Sequence, residues 1–266
     1  MPRKDVMVYH RARKYKLVQI TVGMKNVPGA IAEVTDRLAK VGLNLLEGSF
    51  SDSEGAKGGF LSFFAELRSP TLTPRRLKAA LADSKAVVSV EVKEGREGAI
   101  IDTVNFPVTW GTGDRVLMLR TAFFGEMSKV IRELFASGAD PFLYELGFAH
   151  GNPTWDDLLK TLKVKDAKSL NYALQIYSAV GWCRLKVLDY DQGLGTARLR
   201  MDDSFECATA PKGSPGSHLL RGHVAGAMSA VLHIPVRCLE TRCIAKGHRF
   251  CELQVVPITA PPKIGV

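Results

Sequence analysis

A helix whose one face carries almost no side chain must rest that face against another backbone, and residues 219–232 form such a stretch. Gly222 and Gly226 stand four apart and are accompanied by Ala225, Ser229 and Ala230. Residues at this spacing share a helix face, and small side chains there let a second backbone approach closely. Leu219, Val224, Val231 and Leu232 supply apolar surface on the other sides, so the segment reads as a buried helix. His223 and His233 lie on it. A histidine alone near apolar residues is usually a hydrogen-bonded structural group, and both are read as structural or exposed and not as ligands.

Downstream of this helix the chain reads Glu240-x2-Cys243-x7-Cys251, with Gly247 and His248 between the cysteines. Residues 236–243 and 250–256 are rich in β-branched and apolar types, and residues 244–249 between them suit a hairpin loop with Gly247 in a left-handed conformation. The two thiols then sit near the loop ends of adjacent strands. A carboxylate and two thiols gathered there form most of a tetrahedral zinc site. One objection is geometric: Glu240 lies an odd number of residues before Cys243, so a regular strand points the two side chains to opposite faces, and joint ligation needs a bulge or bend. Three other readings stay open, namely inert buried thiols, a cross-strand disulfide, and a reactive cysteine assisted by His248.

The stretch Leu219-Leu220-Arg221-Gly222-His223-x2-Gly226, followed by Pro235, Glu240, Cys243, Gly247 and Cys251, resembles the end of a 4-vinyl reductase domain, the ligand-sensing module of phenol-responsive bacterial activators. In the zinc-containing members of that family the resemblance places ligands at Glu240, Cys243 and Cys251. The family's fourth ligand, a cysteine at the start of the preceding helix, falls on Ser217. A neutral hydroxyl is a poor zinc ligand, so His218 or the upstream Cys207 takes its place, or the site is weakened or lost. The implied cofactor is a structural zinc, and the implied ligand a small hydrophobic or aromatic molecule between helices and sheet. Phe123, Phe124, Trp155, Tyr172, Tyr177 and Trp182 are the aromatics available to line such a pocket, although an aromatic at a helix or strand position is commonly plain core.

Nearer the N-terminus, residues 16–23 alternate as a strand does, and Asn26-Val27-Pro28-Gly29-Ala30 opens a helix with Asn26 as its cap and Pro28 in its first turn. Ile31, Val34, Leu38 and Val41 continue at helical spacing as far as Gly42. Residues 44–50 and 59–67 read as strands around a turn-rich segment, Thr73-Pro74 starts a second helix, and residues 87–92 close as a fourth strand. The order is β-α-β-β-α-β, the ferredoxin-like arrangement. Strand-Asn-x-Pro-Gly-Ala-helix with Gly42-Leu43-Asn44 after it resembles the ACT domain, a regulatory module that binds an amino acid where two copies meet. That resemblance implies a homodimer and a ligand at Asn26, Pro28, Gly29, Ala30 and Asn44. Amide groups at a helix N-terminus favour a carboxylate, and Gly29 lets it come near the backbone.

The fold class expected is therefore α+β in two parts: a basic arm over residues 1–15, an ACT-like domain over 16–93, a linker over 94–114, a second α+β domain of helices packed on an antiparallel sheet over 115–258, and a mobile tail over 259–266. In the second part residues 115–121 suit a strand, 126–137 a helix ended by Gly138, and 155–162 a helix preceded by Asn152-Pro153. A longer helix over 169–180 and strands over 182–190 and 195–202 follow. At 46% apolar and 24% charged residues the chain has the composition of a soluble globular protein. Its five irregularly spaced cysteines suit a reducing cytoplasm. There is no 18-residue apolar run and no signal-peptide pattern, so no membrane partner is expected.

The net charge is +9, and part of the excess sits in the first sixteen residues, where Arg3, Lys4, Arg11, Arg13, Lys14 and Lys16 face Asp5. Such an arm can contact phosphates or simply be a solvated terminus. The sequence contains no Gly-x-Ser-x-Gly, His-Glu-x-x-His, or phosphate-cradling Gly-Lys-Ser/Thr motif, and no dinucleotide-binding Gly-x-Gly-x-x-Gly. The reading is a ligand-responsive regulatory protein and not an enzyme, with a DNA-binding regulator using the arm, or a reductase-type enzyme, as alternatives.

Overall fold

The computed structural model describes residues 5–12, 14–52, 58–110, 113–214 and 216–258. The tail 259–266, Arg3, Lys4 and Arg13 of the arm, and residues 53–57 of the first domain's turn lie outside the described residues. The chain divides into two compact units, Met1–Leu117 and Met118–Val266. Both are α+β.

In the first unit, β2 (Lys16–Lys25), α1 (Ala30–Lys40), β3 (Asn44–Asp52), β4 (Gly58–Leu67), α2 (Pro74–Ala82) and β5 (Val87–Glu94) follow one another as the alternation pattern predicts. The strands form an antiparallel sheet in the order β3-β4-β2-β5. Val18, Ile20, Val22 and Met24 of β2 pack with Val34 and Leu38 of α1 and Leu77 and Leu81 of α2, which is the core of this unit. Thr73 caps α2 by accepting the Arg76 amide on its hydroxyl, with Pro74 in the first turn. At α1 the expectation fails in one detail. Asn26 is not the cap; Gly29 is, at φ 85, and the helix starts only at Ala30. Only a residue free of a Cβ takes that left-handed turn without strain.

The stretches read as arm and linker also differ. β1 (Tyr9–Arg11), inside the arm, pairs antiparallel with β6 (Ala99–Ile101), inside the linker. Met7 and Ile100 meet Leu17 and Phe64 in a small second core, on the sheet face away from the helices. Asp102 then accepts hydrogen bonds from Gln19 Nε2 at 2.7 Å and from the amides of Val104 and Asn105 at 3.0 Å each. Residues on both sides of the ACT-like segment therefore belong to the same folded unit.

The second unit runs α3 (Thr121–Phe135), α4 (Ala139–Leu162), α5 (Ala167–Ala173), α6 (Gln175–Ala179), β7 (Arg184–Asp191), β8 (Thr196–Asp202), α7 (Phe205–Thr209), α8 (His218–Leu232), β9 (Val236–Arg242) and β10 (Cys251–Pro257). Its sheet is antiparallel in the order β7-β8-β10-β9. Three expectations are corrected. Residues 115–121 are not a strand: Arg115 makes a single bridge to Thr109, and α3 begins at Thr121. Pro153 does not open a helix but lies inside α4. A proline within a helix removes the hydrogen bond to the carbonyl four residues earlier, here that of Ala149, which is exposed and can be met by water. The single helix expected over 169–180 is broken at Leu174 into α5 and α6.

Buried α8 crosses α4, and the crossing is backbone on backbone. A Cβ added at Gly222 would lie 1.9 Å from the carbonyl oxygen of Tyr144, and one at Gly226 would lie 2.4 Å from that of Phe148. The partner face is built alike: Cβ atoms at Gly147 and Gly151 would lie 2.1 and 2.2 Å from the carbonyl oxygens of Leu219 and His223. Among the described residues no helix is long and apolar enough to cross a membrane.

Candidate metal centre

The β9–β10 hairpin resolves the parity objection by a bulge. Arg242 pairs with Glu252 and Glu240 with Leu253, so Thr241 is an extra residue opposite one step of β10. A bulge inserts one residue and turns the following side chains to the other face. Beyond it a 3-10 turn, Ile244–Lys246, and Gly247 at φ 89 return the chain to Cys251. A fourth group arrives from elsewhere. Ser204 caps the short helix α7 by accepting the Cys207 amide, and α7 presents Cys207 to the hairpin. The donor atoms of Cys207, Glu240, Cys243 and Cys251 all lie within 4.8 Å of one another.

The spacing of these donors fits a metal better than a sulfur–sulfur bond. Cys207 Sγ is 3.6 Å from Cys251 Sγ and 3.7 Å from Cys243 Sγ. Zinc–sulfur bonds of about 2.3 Å in a tetrahedron set sulfurs about 3.8 Å apart, whereas a disulfide needs about 2.05 Å. All five cysteines are unbridged. The Ile244 amide donates to Cys251 Sγ at 3.3 Å. Cys251 is the thiol held below its ordinary range, first by the hydrogen bond from Cys207 and, against its burial, by that amide. Cys207, which gives that hydrogen bond and is buried, is pushed up. Three sulfurs and a carboxylate oxygen, one of the sulfurs poised to ionise, make a donor set that zinc accepts.

Three predicted positions fall outside this arrangement. His218 is turned away: its Nε2 is 3.3 Å from Asp140 Oδ2, and its Nδ1 accepts from Arg221 Nη2 at 3.2 Å. Ser217 touches the site without a donor role of its own, its hydroxyl donating to Glu240 Oε1 at 2.5 Å. His248 is no partner for a nucleophilic thiol, because its Nδ1 faces the backbone of Cys243, 3.3 Å from the nitrogen and 3.1 Å from the oxygen. Cys183 and Cys238, by contrast, are plain buried thiols, each pushed up to about 12 mainly by burial.

Beside the centre lies a group of rings. The hydroxyl of buried Tyr177 meets His223 Nδ1 at 2.7 Å. Trp182 lies edge-on to both, and His150 lies 5.0 Å from His223 between ring centres. Phe205, two residues before Cys207, sits between Trp182 at 5.8 Å and Phe124 at 4.7 Å. Of the aromatics expected to line a pocket, Phe124, Trp155, Tyr177 and Trp182 join this group, whereas Phe123 and Tyr172 are exposed. His150 carried no signal in the sequence. Burial, and to a lesser degree His150, lower His223 to about 3 from its ordinary 6.5.

That shift sets a pH dependence. The unfolded chain takes up a proton at His223 as pH falls below about 6.5 while the folded chain does not, so stability present above that range is lost on acidification toward 3. Between pH 6.5 and 5 the loss is about 2 kcal/mol. Urea melts should show His223→Gln losing less stability than the parent over that interval. Equal losses would remove His223 from the account.

In the first unit, Asn26, Pro28, Gly29 and Ala30 line an open depression of about 390 Å³ at the start of α1, together with Lys25, Ile31 and Phe50. α1 begins without a side-chain cap. Asn44 is not brought there; its Nδ2 donates to Glu66 Oε2 at 3.3 Å.

Residues 197–257 match the 4-vinyl reductase domain family. The matched segment runs from β8 through β10 and so contains α7, α8 and all four clustered donors. Among solved structures, the phenol-responsive sensory domain of the transcription activator PoxR with phenol is similar at 20% identity and a TM-score of 0.50, covering 56% of this chain and 79% of that one. A vinyl-4-reductase family protein from Methanocaldococcus jannaschii is similar at 16% identity and a TM-score of 0.39, over 54% and 85%. The regulatory subunit of aspartate kinase from Thermus thermophilus is similar at 18% identity and a TM-score of 0.25, over 34% and 57%. The likeness to the PoxR domain shows a shared fold. No curated protein matches the chain.

Proposed function

We propose that this chain is a ligand-responsive regulatory protein. Its first unit acts as an ACT domain that dimerises and takes an amino acid at the β2–α1 turn. Its second unit, which contains the 4-vinyl reductase segment, holds a small hydrophobic or aromatic molecule against the rings around His223, and a structural zinc on Cys207, Glu240, Cys243 and Cys251. Bound there, zinc supplies a cross-link between α7 and the β9–β10 hairpin; these four side chains hold it, and Ser217 orients Glu240.

The observation that carries the reading is the depression at the start of α1. First-turn amides of a helix lack intrahelical acceptors and carry the positive end of the macrodipole. Here no side chain caps them, and they open on about 390 Å³ of space beside Lys25. A carboxylate suits the amides, while half-exposed Phe50 and Ile31 suit an apolar side chain beyond it. In the other unit, the paired Tyr177 hydroxyl and His223 imidazole provide a polar handle among rings, which complements a phenol-like molecule of the kind the PoxR sensory domain binds.

The test is a thermal-shift screen of the intact protein with the twenty amino acids at millimolar concentration. At least one should raise the melting temperature, and Ile31→Glu, which sets a carboxylate against the same amides, should abolish the rise while folding normally. No response to any amino acid in the parent protein sinks the amino-acid half of the proposal.

A further inference from the structure

Three consecutive residues of α7 face three different neighbours: Phe205 the ring group, Glu206 the start of α8, and Cys207 the cluster of donors. Glu206 is 3% exposed, and no cation lies within salt-bridge distance of it among the described residues. Its carboxylate instead accepts the amide of Leu219 on Oε1 at 2.9 Å and that of Leu220 on Oε2 at 2.8 Å. These are first-turn amides of α8, which ordinarily turn to the side chain of the N-cap residue. The N-cap residue is Ser217, and it makes no such bond. Its hydroxyl is committed to Glu240 Oε1.

The two residues have thus exchanged roles. Ser217, in the position suited to capping, steadies a donor of the cluster. Glu206, from another helix, caps α8 in its stead and in doing so fixes the segment that carries Cys207. A carboxylate bound at both oxygens cannot swing, and its neighbour in the chain is held with it. We infer that Glu206 is a positioning residue of the metal centre: its bonds to the Leu219 and Leu220 amides place Cys207 where its sulfur can complete the four-donor set. This rests on the metal reading above. Donors are as sensitive to the groups that orient them as to their own chemistry, and loss of such a group typically weakens metal binding about 10- to 100-fold.

The test is titration of the intact, metal-free protein with cobalt(II), read by its thiolate-to-metal charge-transfer absorption, which scales with the number of bound sulfurs. Glu206→Gln keeps the shape of the side chain but turns an NH2 toward one of the two amides. It should bind cobalt about 10- to 100-fold more weakly, with lower charge-transfer absorbance per bound cobalt because Cys207 leaves the coordination sphere. Should the Gln variant not fold, Glu206→Asp keeps the anionic cap on a shorter side chain and should show the same loss of absorbance. Unchanged affinity, or weaker binding with the absorbance per cobalt intact, overturns the proposal, since the second result is that of a merely structural residue. Failure of the parent protein to bind cobalt at all is a separate result, which removes the metal reading itself and this inference with it.

Discussion

Gly222→Ala should lower the melting temperature of the second unit by about 10 °C, corresponding to about 3 kcal/mol. Elsewhere in a helix interior the same change stabilises by up to about 1 kcal/mol, because alanine has the higher helix propensity. Here the sign reverses. The new methyl group would sit 1.9 Å from the Tyr144 carbonyl oxygen and 2.8 Å from its carbon, and both belong to backbone that α4's own hydrogen bonds hold in place. The helices must separate, and separation pulls Gly147 and Gly151 away from the carbonyls they nestle against. Gly125 on α3 is the control: its methyl group would meet only the Thr209 side chain, at 3.0 Å, which can adjust. Calorimetry of the two variants should therefore give a large loss for position 222 and a small change of either sign for position 125. Equal small changes would mean that α4 and α8 are not in backbone contact.

Half of that crossing was legible in the sequence. Gly222 and Gly226 announce a helix that needs a close neighbour, and α8 has one. The neighbour was not identified, although Gly147 and Gly151 have the same four-residue spacing, because Pro153 cuts the periodic pattern and reads as a helix start. Its real effect is confined to the carbonyl of exposed Ala149. A similar limit applies at the hairpin. The odd separation of Glu240 and Cys243 requires a bulge before the two can converge, but only the pairing of Leu253 with Glu240 and of Glu252 with Arg242 locates it at Thr241.

The first unit's element order could be read because its strands and helices are long enough to display a period. β1 and β6, at three residues each, are too short for one, and their pairing joins positions some ninety residues apart in the sequence. Asn26 misled for a local reason: asparagine suits a helix cap, yet Gly29 three residues later takes the left-handed turn that sets where the helix can begin. Cys207 stood among the candidates with His218, and nothing in the spacing separates them. A five-residue helix held by Glu206 brings one inward, while Asp140 and Arg221 hold the other away.

Cys207→Ser should weaken zinc binding by more than about 100-fold, beyond what loss of an orienting group alone does, and should lower the melting temperature of the second unit in metal-loaded protein but not in chelator-treated protein. A hydroxyl at this position keeps the size of the side chain and withholds the thiolate, so the variant isolates the ligand bond. The discriminating step is the double variant, Cys207→Ser with Ser217→Cys. Ser217 already lies against Glu240 Oε1, on the border of the cluster. A cysteine there can offer its sulfur from the start of α8 in place of the one lost from α7, and zinc affinity should return in part. Full recovery is not expected, since Glu240 loses the hydroxyl that steadies it. Cys183→Ala should leave zinc content unchanged, that thiol being pushed up to about 12 by burial and lying outside the cluster. Mass spectrometry of the native proteins gives the stoichiometry, and competition with a chelator of known affinity gives the fold-change. Zinc retained at full affinity by Cys207→Ser would show that the fourth donor is something other than Cys207, and the exchange of roles between residues 206 and 217 would lose its purpose.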